Sequence, residues 1–208
     1  MRTCATPEKW RTRYAGSLGC RLRLRRVARS PISLAELREL EATVGFTEQD
    51  RAALQRLGEL IRAGDAEALV DSWRKLIGSQ PHLARWFFGP DQKPNESYKA
   101  AVKPRFVRWV VDLLDRPFDQ AWLDYQWEIA LRHTPAKKNV TDHADSPPHV
   151  PLRFLIGFMA PVLAAIRPHL EDRGLGADEI DRLQNAWSKA VILSVALGSR
   201  PYTGDDLW

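Results

Sequence analysis

The stretch Phe118–His133, FDQAWLDYQWEIALRH, constrains this chain more than any other. Wound as an α-helix, it stacks Trp122, Tyr125, Ile129 and His133 on one face, at steps of three, four and four residues. That face is apolar except for its last member, which stands just before Thr134 and Pro135 stop the helix. A histidine so placed has two readings. It is a core histidine whose ring nitrogens find backbone partners, or an imidazole presented to a metal.

The flanking sequence repeats the helical period. Ser33 followed by Glu36 has the form of a capping box, and it opens a helix over about 34–43 that Gly45 ends. Thr47 opens a second helix with Leu54, Leu57, Leu60 and Ile61 inward, stopped by Gly64. Asp65 is expected to cap a third, striped with Leu69, Val70, Trp73, Leu76 and Ile77. An aromatic segment, Pro81 to Phe88, leads into a helix over about 95–115, bent by Pro104. After Phe118–His133, residues 134–148 form the long irregular connection, marked by Pro135, Pro147 and Pro148. Two long helices finish the chain, over about 149–172 and 177–199. No period-2 stretch of useful length and no fixed repeat occurs. The fold class is therefore all-α, a globin-like packing of seven or so helices in one domain, with an additional N-terminal helix.

Charge divides the chain. Residues 1–30 hold nine basic side chains and one acid, a net +8 that leaves −3 for residues 31–208. This argues against a nucleic-acid-binding body and makes 1–30 a basic arm, expected to be poorly ordered. The arm reads equally as a nucleic-acid contact, a targeting segment or an inconsequential extension. It lacks the apolar centre of a secretory signal, so the protein is expected to be cytoplasmic. Both cysteines, Cys4 and Cys20, lie in the arm, where a disulfide would brace nothing in the core. The longest apolar run, Phe154 to Ile166, is shorter than the roughly 20 residues of a membrane span.

Familiar active sites are missing. There is no G-x-S-x-G, no Gly-rich phosphate loop with lysine, no H-E-x-x-H and no paired-cysteine motif. His82, His143, His149 and His169 never pair at helical spacing, and the carboxylates are expected on solvent faces of helices. What remains is one inward histidine in an aromatic-rich helical core. A single imidazole is a weak metal site unless the metal arrives already held by a macrocycle, and haem is that case. No C-x-x-C-H run offers thioether attachment, so the group would be held non-covalently as haem b. Trp73, Phe87, Val102, Phe106, Leu155, Phe158 and Val162 come from four segments that can converge opposite His133.

These residues carry a resemblance. DSWRKLIGSQPHL, FDQAWLDYQWEIALRH, AKKNVTD, PLRFLIGFMAPV and the ending SVALGSRPYT, in that order, resemble the protoglobins, single-domain haem proteins related to the globin domains of globin-coupled sensors. The likeness runs along nearly all of residues 30–208. It implies that His133 is the proximal iron ligand with Ile129 beneath the porphyrin. It further implies that Trp73, Phe87, Val102, Phe106, Leu155, Phe158 and Val162 line a distal pocket and its tunnels. Arg105 would pair with a haem propionate, against the plainer reading of a solvated helix face. A homodimer through the last two long helices is implied as well. Three features depart from the family pattern. Arg74 stands where the family has a tyrosine able to donate to an iron-bound ligand, and it is expected to swing outward with its stem packed inside. Pro104 falls within a pocket helix, and residues 1–30 do not resemble the family's N-terminal segment.

The function expected from this is reversible binding of a diatomic gas (O₂, CO or NO) at five-coordinate haem iron, for sensing, binding or detoxification. A dedicated enzyme is not expected, since no distal acid–base pair is visible; peroxidase-like or NO-oxidising chemistry would be secondary. The alternative is a haem-free interaction protein that keeps the globin fold with an altered pocket, with Arg74 as its best support. No membrane partner is expected.

Overall fold

The computed structural model describes residues 27–61 and 63–208. The expectations for residues 1–26, including a Cys4–Cys20 disulfide, lie outside the described residues. The end of the basic arm does reach the body: the Arg29 guanidinium donates to Gln120 Oε1 at 3.1 Å, and the Ser30 amide to Asp124 Oδ1 at 2.9 Å.

Among the described residues the chain is helical, with no strand beyond an isolated bridge between Phe88 and Pro94. Helix α1, Leu34–Thr43, starts at the Ser33 capping box and ends in Gly45 at φ +63°. There the Phe46 amide reaches Glu41 O at 2.8 Å and the Gly45 amide reaches Ala42 O at 3.0 Å, the paired bonds of a Schellman stop. Helix α2, Glu48–Leu60, has a second capping box, built by Thr47 and Asp50. Helix α3 runs over Ala63–Ser79, so it begins ahead of the expected cap; Asp65 sits in its first turn and pairs with Arg173 at 2.8 Å. A short α4, Pro81–Ala84, and a 3₁₀ turn carry the aromatic segment into α5, Glu96–Asp115. Pro104 lies inside α5 without ending it.

Helix α6, Gln120–Leu131, is capped by Asp119, whose carboxylate accepts the Trp122 amide at 2.8 Å. It closes two residues before His133. Pro135 has no N–H for the Leu131 carbonyl, which instead accepts the Thr134 amide at 3.0 Å and the Thr134 hydroxyl at 2.9 Å. The expected helix over 149–172 is two, α7, Leu152–Ala164, and α8, Ile166–Glu171, with a turn at Ala165. Pro168 explains the break, since it lacks the N–H that would continue the ladder to Ala164. By length and composition alone, Leu152–Glu171 passes as a membrane-spanning stretch, with a mean hydropathy of 1.3 over its most apolar part.

Helix α9, Ala177–Ser199, is the spine of the fold and packs against α2, α6 and α7. Its apolar side holds Leu183, Trp187, Val191 and Leu197, all buried, and the Trp187 indole donates to Val162 O at 3.2 Å, tying α9 to α7. Helices α2 and α3 pack on α5, closing a core with Leu57, Val70, Val110 and Trp122 at its centre. The carboxylates do not all face solvent: Glu41, Asp50, Asp112 and Glu128 are buried, each paired with lysine or arginine. Asp112 shows the cost of burial, which pushes its carboxyl above the ordinary range although Arg108 and Arg116 pull it back.

Candidate cofactor pocket

A cavity of about 410 Å³, within the range of small-molecule and cofactor sites, lies between α5 on one side and α6, α7 and α9 on the other. Its wall is mainly apolar. Of the residues singled out in the sequence, Arg74, Phe87, Val102, Arg105, Phe106, Ile129, His133, Leu155, Phe158 and Val162 all line it. Trp73 does not. Its ring lies 5.3 Å from Phe106 and 6.5 Å from Trp109, one side chain removed from the cavity. The Trp73 indole N–H is buried without a partner there.

His133 occupies the tightened turn after α6. Its amide reaches Ala130 O at 3.0 Å, and its carbonyl accepts the Val150 amide at 2.8 Å. The Tyr202 hydroxyl lies 2.7 Å from Val150 O and 3.1 Å from His133 O, so the C-terminal 3₁₀ turn braces the same backbone. Nδ1 of the ring is 3.0 Å from Ile129 O. A carbonyl only accepts, so Nδ1 carries the proton and Nε2 keeps its lone pair. Burial pushes the imidazole down to about 4, with Lys138 and Arg132 nearby adding to the effect and the bond to Ile129 opposing it. The ring is therefore neutral at physiological pH, a wall residue of an apolar cavity with one nitrogen able to ligate.

Arg74 lines the cavity, and its guanidinium lies 3.2 Å from Asp71 and 3.4 Å from Lys99 O. The guanidinium of Arg105 grips Asp142 in bidentate fashion, at 2.7 and 2.5 Å, rather than pointing to solvent. Arg105 and Phe106 reach the cavity although Pro104 precedes them.

Several wall residues escaped the sequence reading. Tyr125 was placed on the face that leads to His133, but it packs against Arg108 and Arg116 instead, and Gln126 takes its place. The Trp109 indole donates to Ser194 Oγ at 2.9 Å, and that hydroxyl donates to Gln126 Oε1 at 2.9 Å. The amide nitrogen of Gln126 is buried with no partner. Trp86 also lines the cavity with an unpartnered buried indole N–H. Lys138, only 2% exposed, donates to Trp86 O at 2.8 Å and Ser146 Oγ at 2.7 Å, and burial pushes its ammonium down to about 8. Spacing signals existed for two of these: Trp109 follows Phe106 by one helical turn, and Gln126 precedes Ile129 by one. The loop residues Lys138 and Asp142 offered no periodicity to read.

Among the described residues no cluster of three or more histidine, cysteine or acidic side chains could hold a bare metal ion.

Comparison with known proteins agrees with this architecture. The globin domain of a globin-coupled sensor from Geobacter sulfurreducens superposes with a TM-score of 0.61 at 17% identity, covering 80% of this chain and 97% of that domain. At that identity the likeness is one of fold. No curated protein sequence matches the chain. A family model for protoglobins matches residues 33–208, which is the whole helical body from the capping box of α1 onward. The chain belongs to the protoglobin family.

Proposed function

We propose that this protein holds haem b non-covalently, with Nε2 of His133 as the axial nitrogen, and reversibly binds a diatomic gas on the opposite face. One observation carries the reading: the sole histidine on the cavity wall, among the described residues, is neutral, with Nδ1 committed to a backbone carbonyl and Nε2 uncommitted. A hydrogen bond from Nδ1 to a carbonyl fixes the tautomer and the ring orientation of a metal-ligating histidine. Haem supplies iron with a coordination position left open for O₂, CO or NO.

The chain's own residues do the rest. Ile129, Val102, Phe106, Leu155, Phe158 and Val162 give the apolar walls that keep water from the iron. Arg105 offers a bidentate fork to a propionate, in exchange for its grip on Asp142. The charge of Arg74 is compensated at the cavity wall, since its guanidinium is paired with Asp71 and donates to the Lys99 carbonyl. With Trp73 set back from the wall, the lining residues that hold a buried, unpartnered N–H donor are Trp86 and Gln126. Titration of the apo-protein with haem should saturate at one haem per chain and develop a Soret band. No uptake under anaerobic reconstitution would favour the haem-free interaction protein instead.

The protein is also proposed to form a homodimer through its last long helices. Ile156 on α7 is 52% exposed and Ile192 on α9 is 45% exposed, large apolar side chains left at the surface of the described chain. Light scattering should give a dimer for the native protein and a monomer after Ile156→Asp with Ile192→Asp; an unchanged dimer would place the contact elsewhere. The cysteine-free body supports a cytoplasmic location.

A further inference from the structure

The charges around the cavity are unbalanced in a particular way. Arg74, Lys99, Arg105, Arg132 and Lys138 line it, against a single carboxylate, Asp142. Four of these cations have an acidic partner: Arg74 with Asp71, Lys99 with Glu96, Arg105 with Asp142, and Arg132 with Glu128. Lys138 has none among the described residues. Its ammonium donates only to neutral groups, the Trp86 carbonyl and the Ser146 hydroxyl, and lies 5.0 Å from the Tyr98 ring centroid.

Placing a lone ammonium in an enclosed apolar wall is costly unless a counter-charge accompanies it. The site around Lys138 is nonetheless built with care. Asn139 Nδ2 donates to Ser146 O at 2.5 Å, while Ser146 Oγ donates to Asn139 Oδ1 at 2.8 Å and accepts from Lys138. The aromatic ring and the two acceptors fix the head group of this wall residue. Asp142, the lone acid lining the cavity, already satisfies Arg105. The missing negative charge is therefore one that the cavity's occupant brings.

We propose that Lys138 is the resident counter-ion for a carboxylate of the bound tetrapyrrole, so that this pocket selects a macrocycle with a free acid side chain. The inference rests on the haem reading above and extends it from the axial bond to the rim of the ligand. Arg105 must give up Asp142 to receive a carboxylate, whereas Lys138 receives one without breaking an ion pair.

Metal-free protoporphyrin tests this apart from the iron bond. Apo-protein is titrated with protoporphyrin IX and with its dimethyl ester, following porphyrin fluorescence and the quenching of tryptophan. The native protein should bind the free acid at least about tenfold more tightly than the diester, as expected for a charge-assisted hydrogen bond out of water. Lys138→Met should erase most of that preference while still binding the diester. Equal binding of acid and ester by the native protein overturns the proposal, whether or not the Lys138 variant folds. A preference that survives in Lys138→Met and disappears in Arg105→Met also overturns it. Failure to bind either porphyrin would strike at the haem reading itself; binding without preference would strike at Lys138 alone.

Discussion

Replacing His133 with alanine should strip the protein of its haem while leaving the helical body folded. The expectation follows from where the ring sits. Its Nδ1 is tied to Ile129 O at 3.0 Å, and its main-chain carbonyl is held by Val150 and Tyr202, so the backbone turn survives loss of the side chain. What disappears is the one histidine nitrogen on the cavity wall, among the described residues, that is free to ligate. Changes in the outer shell of a metal site already cost about 10- to 100-fold in affinity, so removing the ligand itself should weaken haem binding by more than about a hundredfold. Added imidazole should restore part of the binding by entering the vacated space. Far-ultraviolet circular dichroism of the apo-protein should be unchanged. A His133→Ala protein that retains haem with an unaltered spectrum would remove His133 from its role.

The second large effect is on acid stability, and its sign is fixed by the direction of the His133 shift. The folded apo-protein holds this imidazole at about 4, against about 6.5 in an unfolded chain. Between those values the unfolded state takes up a proton that the folded state refuses, so folding stability falls as pH falls. The contribution is fully present above about 6.5 and lost by about 4, amounting to an order of 3 kcal/mol. That is a large part of the 5–15 kcal/mol typical of a whole domain. Carboxylates held low by their partners, such as Asp50 with Lys189 and Thr47, lose their contribution at lower pH, since their ordinary value is 3.8. Urea denaturation of the apo-protein at a series of pH values checks this. The native chain should lose stability steeply across the window, and His133→Ala should flatten most of the slope. Equal slopes in the two proteins would mean that His133 is not held neutral by burial.

Much of the fold is legible in the order of the residues, for an identifiable reason. Four helices, α1, α2, α5 and α6, carry a side-chain start signal that works locally: Ser33 with Glu36, Thr47 with Asp50, Asn95 and Asp119. The pocket residues on helices are legible too, because a 3.6-residue period fixes which side chains share a face. Val102 with Phe106, and Leu155 with Phe158 and Val162, reach the same cavity on that basis. Periodicity stops short where a single residue alters the backbone or a partner comes from far along the chain. Pro168 breaks the helix expected over 149–172 into α7 and α8, and Pro135 ends α6 before His133.

Trp73 shares the apolar stripe of α3 with true core residues, and spacing cannot separate a side chain that touches the cavity from one packed a layer behind it. Burial of Glu41, Asp50, Asp112 and Glu128 depends on where arginines and lysines arrive from, in part from other elements, as with Lys189 and Asp50. Lys138 and Asp142 belong to a loop whose shape is set by turns and by the Asn139–Ser146 contact, so periodicity does not mark them as wall residues, although both fall within the AKKNVTD motif.

The most direct test is vibrational. Resonance Raman spectra of the reduced, haem-reconstituted protein, prepared with ordinary and with heavy-nitrogen histidine, report the bond between iron and its axial ligand. An iron–nitrogen stretching band that shifts with the label, and is absent from His133→Ala until imidazole is added, is the expected result. A haem-loaded protein whose spectrum has no label-sensitive band, or keeps that band in His133→Ala, would contradict the assignment of His133 as the ligand.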